Sequence, residues 1–461
     1  MSMAGNLRSG SSFRDPSGFL FTRGGVLYRQ VNRSYRAAYD QLMESGLYRE
    51  LVDAGEMIPH EAVNVAPAES SLASLVVRPE PLDFVSYPYE WSFTQLKDAA
   101  ALTLTIQKRA MARGLSLKDA SAYNIQFHQG RPLLIDSLSF EPWKEGEPWV
   151  AYRQFCQHFV APLALMAHVD VRLGLLLRLY IDGLPLDLAS RLLPGRTRLR
   201  PGILTHVHLH AASQRRFSGI APASRTTARM PRNAFLGLID SLESTVRGLA
   251  WNPGATEWAA YEQSHNYTPA ALEQKRRLVR GYLQRIHPSM TWDLGANVGG
   301  FSRLAAEAGS KTIAFDLDPS AVDVHYRRCR VEGEKRVLPL LLDLTNPSPA
   351  QGWNHRERMS LAERGPADAV MALALVHHLA IANNVPLPLV AETLAGYGKS
   401  LIIEFVPKTD SQVQRLLASR QDIFPGYTLE GFEQAFRRTH KVHASERIER
   451  SERILFWMAR R

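Results

Sequence analysis

Three acidic residues, each at the end of an apolar run, form the pattern that most clearly indicates chemistry. Asp293 ends the first run and is followed by Gly295 and Gly299. This order predicts a strand, a glycine turn and a helix start, where a ligand can lie against bare backbone N–H groups. Asp316 ends the next run 21 residues after Gly295, close to the interval of ~20 residues at which an acidic side chain reaches a ribose diol. Asp343 ends a third run.

The residues around these acids resemble a known family of enzymes. The first three ligand motifs of class I S-adenosylmethionine (SAM)-dependent methyltransferases are similar to Asp293-Leu-Gly295-Ala-Asn297-Val-Gly299, Ala-Phe-Asp316-Leu-Asp318-Pro-Ser and Leu-Leu-Asp343-Leu. The resemblance runs from about residue 258 to the C-terminus, with Asn297 in place of the middle glycine of the commonest pattern. An NAD-binding Rossmann unit is the nearest competitor, but its G-x-G-x-x-G pattern needs a second glycine that is missing here.

This resemblance implies that SAM is the cofactor and that four residues hold its adenosine end. Asp316 is expected to accept hydrogen bonds from the ribose hydroxyls, and Asp343 to bind the adenine amino group. Leu317 and Leu344 are expected to pack on the adenine ring.

The methionine end of SAM is expected at the glycine turn. Gly295, Asn297 and Gly299 should admit it, and Asp293 should brace the turn or bind the amino group. No metal ligands are assigned in this chain.

Two residues at later strand ends are candidates for catalysis. His377 is the best general base, because an unperturbed imidazole titrates near physiological pH; the alternative is a structural pair with His378. Glu404 is a second candidate acid or base, and Tyr261 and Tyr267 are candidates to line the pocket. The stretch Glu404-Phe-Val-Pro-Lys lies in a C-terminal half that resembles bacterial methyltransferases related to host-specific nodulation proteins. The acceptor stays open, although the Asn/Asp-Pro-Pro-aromatic signature of amino-group methylation is absent.

Alternating strands and helices predict an α/β fold for residues 256–461. The expected architecture is a doubly wound, Rossmann-like, seven-stranded methyltransferase sheet with a reversed edge strand. Its last two strands are predicted at Lys441–Ser445 and Ile454–Ala459. A preceding amphipathic helix is predicted over Pro269–Ile286, with Lys275 on its outward face.

Residues 16–194 are predicted to form an α+β domain of their own. Asp119, Asn124 and Asp136 follow the spacing of the catalytic loop and metal-binding Asp of kinase-like folds, which the segment resembles. In that family such residues position the acceptor hydroxyl and hold Mg²⁺. Arg29 is the closest candidate for a cation that contacts the nucleotide phosphates. The competing interpretation is that these residues brace a β-hairpin in a fold without phosphotransfer.

Residues 195–255 are predicted to be a basic connecting region. Arginines accumulate over residues 191–232, which offers a surface for nucleic acid as an alternative to a solvated connection. His206, His208 and His210 alternate as they would on one face of a strand, but the neighbouring sequence lacks acidic or cysteine partners for a metal.

Composition and charge limit the remaining possibilities. The chain has 461 residues, 45% of them hydrophobic, a formal net charge of +10 and two cysteines, which predicts a cytoplasmic protein with no membrane contact and no disulfide framework. Residues 1–15 are predicted to be a flexible N-terminus.

The expected function is methyl transfer to an unidentified, small-molecule acceptor, with the N-terminal domain recognising a substrate or partner. Two alternatives are a non-catalytic SAM-binding scaffold or sensor with a pseudokinase-like module, and an RNA methyltransferase.

Overall fold

The fold was analysed in a computed structural model that describes residues 7–217, 229–252, 267–418 and 421–461. The chain divides into two compact units. The N-terminal unit comprises Met1–Asn252 and Gln351–Arg358, and the C-terminal unit comprises Pro253–Ala350 and Met359–Arg461. Tyr261, predicted as a pocket residue, lies outside the described residues.

The N-terminal unit is α+β, and its strands form three antiparallel sheets. The strands are β1 (Leu7–Arg8), β2 (Gly18–Arg23), β3 (Val26–Asn32), β4 (His60–Val63), β5 (Ala73–Pro79), β6 (Leu115–Leu117), β7 (Ile125–His128), β8 (Arg131–Leu134) and β9 (Phe140–Pro142). A five-stranded sheet has the order β1-β2-β3-β5-β4, while β6 pairs with β9 and β7 with β8.

Three of the described helices of this unit lie within the predicted connecting region, residues 195–255. The helices are α1 (Arg36–Glu44), α2 (Leu47–Asp53), α3 (Phe93–Ala112), α4 (Tyr152–Phe155), α5 (Ala161–His168), α6 (Leu176–Leu179), α7 (Leu186–Leu192), α8 (Pro201–Ile203), α9 (His210–Phe217) and α10 (Arg232–Gly248). Helix α10 buries Phe235, Ile239, Leu242 and Val246, and its Glu243 bonds Lys108 of α3. The prediction of a connecting region over 195–255 is therefore wrong for α10, whose apolar face at helical spacing packs into the unit.

The three alternating histidines lie on a helix and not on a strand. His206 and His208 belong to a π-helical turn over Leu204–Leu209. The two ring nitrogens of His206 bond Tyr152 and Ser241. Within the described ranges, no group of His, Cys, Asp or Glu side chains is arranged to hold a metal ion. His206 and His208 are buried and hydrogen-bonded through both ring nitrogens, and His210 is partly buried.

The N-terminal segment is ordered from residue 7 onward. Strand β1 pairs with β2, and the Ser12 hydroxyl accepts a hydrogen bond from the Leu20 amide. The flexibility predicted for residues 1–15 stays a prediction. Among the described helices, none combines the length and the apolar composition that crossing a bilayer requires.

The C-terminal unit is built on one seven-stranded sheet, as predicted. Its strands are β10 (Met290–Leu294), β11 (Lys311–Asp316), β12 (Val337–Leu341), β13 (Ala367–Ala372), β14 (Gly398–Phe405), β15 (His440–Arg447) and β16 (Ile454–Arg460). The strand order is β12-β11-β10-β13-β14-β16-β15, and β16 is the one strand of this sheet that runs opposite to the other six. The reversed strand is thus second from the edge, because the final hairpin folds back so that β16 lies between β14 and β15.

Helices cover this sheet, which makes the fold doubly wound α/β. They are α11 (Pro269–Ile286), α12 (Gly300–Glu307), α13 (Pro319–Glu332), α14 (Leu387–Tyr397), α15 (Ser411–Leu417) and α16 (Leu429–Arg437). The Thr268 side chain caps α11 by accepting from the Ala271 amide. Helix α11 packs Val279 and Leu283 with Leu304 of α12 into a buried core cluster that includes residues of β13, β14 and β16, so the helix lies on a face of the sheet.

Candidate functional site

The candidate site lies where parallel strands of the C-terminal sheet end. The carboxyl ends of parallel strands meet at one edge of a sheet, where ligands bind in open α/β folds. Strands β10, β11, β12, β13 and β14 are mutually parallel in register. Their ends therefore place the predicted site residues along the same edge.

The glycine turn after β10 is held by the end of β11. Gly295, Asn297 and Gly299 all have positive φ, at 76°, 50° and 82°, a conformation that glycine and asparagine adopt most easily. The Asn297 amide donates to Asp316 Oδ2 at 2.7 Å, and the Asp318 amide donates to Asp316 Oδ1 at 2.9 Å. The turn and the predicted ribose-binding acid are thus one bonded structure. Burial is the largest cause that raises the pKa of Asp316.

Asp293 lies beneath this turn, almost fully buried. The Ser302 hydroxyl, from the first turn of α12, donates to Asp293 Oδ2 at 2.6 Å. Burial raises the pKa of Asp293 to about 7, with a further contribution from the nearby Asp316 charge. The structure therefore brings these two predicted carboxylates together.

The third carboxylate lies beyond the next strand. Asp343 Oδ1 accepts hydrogen bonds from the amide and hydroxyl of Thr345, at 2.8 and 2.6 Å. The Leu342 amide donates to the Asp316 carbonyl oxygen at 2.9 Å, which ties the two strand ends together. Leu317 is 66% exposed at the end of β11, and Leu344 is partly exposed. The predicted adenosine residues thus lie at two neighbouring strand ends.

His377 follows β13 and is fully buried, yet neither ring nitrogen has a hydrogen-bond partner among the described residues. Its ring lies against His378, with centroids 4.2 Å apart. Burial holds the pKa of His377 well below its usual value, and His378, Arg453 and Lys275 lower it further. A buried imidazole without partners is uncommon in a stable core. It is consistent with a position that a ligand or substrate completes.

A buried ion cluster lies at the end of β14. We use this name for Tyr267, Lys275, Glu404, Asp410 and Arg453. The Lys275 ammonium contacts Glu404 Oε2 at 2.6 Å, and both side chains are almost fully buried. Arg453 lies 3.6 Å from Glu404 and bonds both oxygens of Asp410, at 2.7 and 3.0 Å. Arg453 also donates to the Tyr267 hydroxyl at 2.8 Å.

This cluster changes the role expected of Glu404. Burial alone would raise the pKa of Glu404, but Lys275 and Arg453 outweigh it and the pKa is lowered. Lys275 binds one of its oxygens and Tyr267 the other. An ionised and fully bonded carboxylate is better suited to positioning its neighbours than to proton transfer.

Lys275 itself was placed wrongly from the sequence, on the outward face of α11. It is 3% exposed and shares an inward face with Ala271 and Val279, four residues before and after it. That spacing was a usable signal. Arg453 was missed altogether, since the charged turn that contains it resembles a solvated loop.

A cavity of about 390 Å³ adjoins the ion cluster. It is lined by Tyr267, Thr268, Ala271, Thr409, Asp410, Arg450, Ser451 and Glu452. The lining is largely polar and comes from the residues after β14, from the start of α11 and from the turn before β16. The cavity therefore lies at the same sheet edge as the strand-end residues.

Gly299 offers a direct test of this geometry. A Cβ at this position would lie 1.9 Å from His325 Nε2, and His325 is buried, with its pKa lowered to about 3 by burial. We expect Gly299→Ala to lower the free energy of unfolding by about 3 kcal/mol, through positive φ and overpacking together.

The matched control is Gly333→Ala, which has a similar φ of 67° but no atom within 4 Å of the added Cβ. It should cost only about 1 kcal/mol. Urea unfolding of both variants is the measurement, and equal losses would show that contact with His325 does not constrain the turn.

In the N-terminal unit, the residues that resemble a kinase-like site also converge. Asp119 bonds Asn124, Asn124 donates to Ser139 at 3.1 Å, and Ser139 donates to Asp136 at 2.7 Å. Arg29 contacts Asp136 at 2.6 Å. The polar groups thus bond one another, which favours the bracing role over a site for nucleotide and metal.

Several solved structures are similar to part of the chain. Magnesium protoporphyrin IX methyltransferase from Synechocystis PCC 6803, with bound SAM, is 14% identical, with 46% of this chain and 87% of that chain covered and a TM-score of 0.30. The PH0226 protein from Pyrococcus horikoshii OT3 is 15% identical, with 45% and 100% covered and a TM-score of 0.30. The bifunctional kinase-methyltransferase WbdD is 12% identical, with 44% and 42% covered and a TM-score of 0.30.

Sequence similarity extends much further along the chain. No family model matches it. The nodulation protein NoeA of Rhizobium meliloti (strain 1021) is 37% identical over 465 residues, which cover 98% of this chain and 96% of that protein. Because the identity extends over nearly all of both proteins, this chain belongs to the family of the nodulation protein NoeA.

Proposed function

We propose that this chain is a class I SAM-dependent methyltransferase whose C-terminal unit carries out the methyl transfer. The observation that carries the proposal is the group formed by the glycine turn, Asp316 and Leu317 at one sheet edge. Asp316 bonds the Asn297 amide of the turn, while Leu317 beside it is 66% exposed. A carboxylate next to an uncovered apolar side chain suits a nucleoside, with its ribose hydroxyls on the acid and its base on the leucine.

Asp343 and Leu344 complete the adenosine end in this proposal. Asp343 uses Oδ1 for both of its bonds to Thr345. Its other oxygen would accept a hydrogen bond from the adenine amino group, a donor that a carboxylate binds well. Leu344, like Leu317, would pack on the adenine ring.

The glycine turn and Asp293 bind the methionine end. Gly295 leaves backbone open where a side chain would obstruct the ligand, while Gly299 lets the turn pack against His325. The pKa of Asp293 is raised to about 7 by burial, so a neighbouring ammonium group would keep this carboxylate ionised. A zwitterionic amino acid therefore fits the turn better than a purely anionic group.

When bound, SAM supplies a sulfonium methyl group whose carbon takes the acceptor's lone pair while the carbon–sulfur electrons return to sulfur. His377 is the base that takes a proton from an acceptor that carries one. Its imidazole is neutral because its pKa is held well below the usual value, and both ring nitrogens lack partners among the described residues. A weak base suffices, since an acceptor that has gained a methyl cation releases its proton readily.

The acceptor is assigned to the cavity beside the ion cluster. Its volume of about 390 Å³ falls in the range of small-molecule sites, ~300–1,000 Å³. Glu404 then acts as a positioning residue, because it bonds Tyr267, which lines the cavity. The N-terminal unit is assigned to recognition of a substrate or partner.

Replacing His377 tests the catalytic part of the proposal. We expect His377→Asn to reduce methyl transfer by about 10²–10⁴-fold, the usual contribution of a general base, while SAM binding by calorimetry changes little. The assay follows radiolabel from methyl-labelled SAM into components of a cell extract. Because the pKa of His377 lies well below 6.5, this residue should cause no loss of rate as the pH falls from 8 to about 6.5.

His443→Asn is the matched control, because this histidine is exposed on β15. It should transfer label at the wild-type rate. Binding of SAM without label transfer by the wild-type protein would favour a scaffold or sensor over an enzyme, and label in RNA would identify an RNA methyltransferase. Absence of SAM binding would overturn the whole proposal.

A further inference from the structure

Large apolar side chains are exposed in one part of the N-terminal unit. We define the basic apolar patch as seven side chains: Val169, Leu192, Leu199, Leu209, Arg196, Arg198 and Arg200. The four apolar members are all exposed, and Leu199 reaches 85%. Single exposed leucines are ordinary, but a group of them marks a surface that something else covers.

Hydrogen bonds hold the segments of the patch close together. Arg196 donates to the carbonyl of His168, the residue before Val169, at 3.5 Å. His208, the residue before Leu209, bonds Ser190 at 2.8 Å and Thr197 at 2.9 Å. The end of α5, the loop after α7 and the start of α9 are therefore neighbours.

The charge of the patch is positive and not neutralised by its surroundings. Arg196, Arg198 and Arg200 are exposed and have no carboxylate partner among the described residues. The nearby acids Asp170 and Asp187 already pair with Arg172 and Arg191. Leu199 lies between Arg198 and Arg200 in the sequence. Its exposed apolar side chain is therefore flanked by two cationic residues.

These features distinguish between three kinds of partner. A two-fold contact with a second copy would place the same arginines opposite each other, which is repulsive. Single-stranded nucleic acid is bound by aromatic side chains that stack on bases, and the members of this patch are aliphatic. An anionic lipid surface satisfies both features, since leucines enter the acyl boundary while arginines contact phosphates.

We propose that the basic apolar patch docks the protein peripherally on an anionic membrane surface. The proposal is independent of the methyltransferase assignment. It departs from the sequence-based expectation of no membrane contact, because composition does not reveal which leucines stay exposed. The docking is reversible, since no segment of the patch is long enough to span a bilayer.

Vesicle flotation of the full-length protein tests the proposal. We expect binding to phosphatidylcholine vesicles that contain phosphatidylglycerol, little binding to phosphatidylcholine alone, and release by high salt. Arg198→Glu/Arg200→Glu should weaken binding at least about tenfold, since each basic residue near an anionic surface contributes about fivefold. Leu199→Ser should weaken it severalfold at unchanged charge.

Two matched controls separate the patch from net charge and general hydrophobicity. Arg277→Glu/Arg438→Glu makes the same charge change at exposed arginines of the C-terminal unit. Val331→Ser removes an apolar side chain that is 89% exposed on α13. Both should bind vesicles as the wild type does. The proposal would be overturned if the patch variants and the control variants bound vesicles equally, or if the wild-type protein bound no vesicles at low salt. It would also be overturned if the protein bound no lipid and Leu199→Ser instead abolished self-association or RNA binding.

Discussion

Asp316→Asn is expected to weaken SAM binding by about 100-fold, as measured by calorimetry. The carboxylate accepts one backbone amide at each oxygen, from Asn297 and from Asp318. An asparagine has only one acceptor oxygen, so its NH₂ group would face an N–H donor and open the turn. The ribose would also lose its ionised acceptor, and a hydrogen bond to a charged group contributes about 1.5–3 kcal/mol.

The control is Asp368→Asn, at the opposite end of the same sheet. There a single oxygen, Oδ2, accepts the amides of Ser289 and Met290, while Lys399 binds Oδ1. An asparagine oxygen can keep both amide bonds, so SAM binding should stay close to the wild-type value. Wild-type affinity in a folded Asp316→Asn variant would contradict the assignment of the cofactor site.

Lys275→Met should lower the free energy of unfolding by about 3 kcal/mol or more. It leaves the Glu404 carboxylate buried without its closest cation, and breaking a buried ion pair by removing one partner typically costs about 3–5 kcal/mol. Arg453 remains 3.6 Å away, which keeps the loss toward the lower end of this range. Urea unfolding followed by circular dichroism is the measurement.

Two further variants show whether burial is the cause. Lys399→Met breaks the pair with Asp368, whose members are 62% and 31% exposed, and should cost about 1 kcal/mol or less. The double variant Lys275→Met/Glu404→Leu removes both buried charges and should recover part of the lost stability. A loss for Lys275→Met no larger than that for Lys399→Met would mean that the buried pair does not stabilise this unit.

The sheet and its strand-end acids were predictable because their signals are local. Asp293, Asp316 and Asp343 each follow an apolar run, and parallel strands must end at one edge. The place of β16 was not predictable in this way. In the sequence β16 is the last strand, but in the sheet it lies between β14 and β15. This position depends on pairing between strands that are distant in the sequence.

The ion cluster escaped prediction for a different reason. Lys275 and Arg453 are charged, and charged side chains are rarely buried unless they are paired. Their partner Glu404 lies 129 residues from Lys275 in the sequence, so no local pattern signals the pairing. The same holds for α10, whose packing against α3 makes the end of the predicted connecting region part of a folded unit.

The hydrogen bond between Asp316 and the Asn297 amide has a consequence for affinity. It preorganises the proposed pocket, because the acid assigned to the ribose and the backbone assigned to the amino-acid portion are already immobilised relative to each other in the folded chain. The conformational entropy of ordering them is lost during folding and not on association. The nucleoside and amino-acid portions of the cofactor should therefore bind much more tightly when they are covalently joined than when they are added as separate molecules.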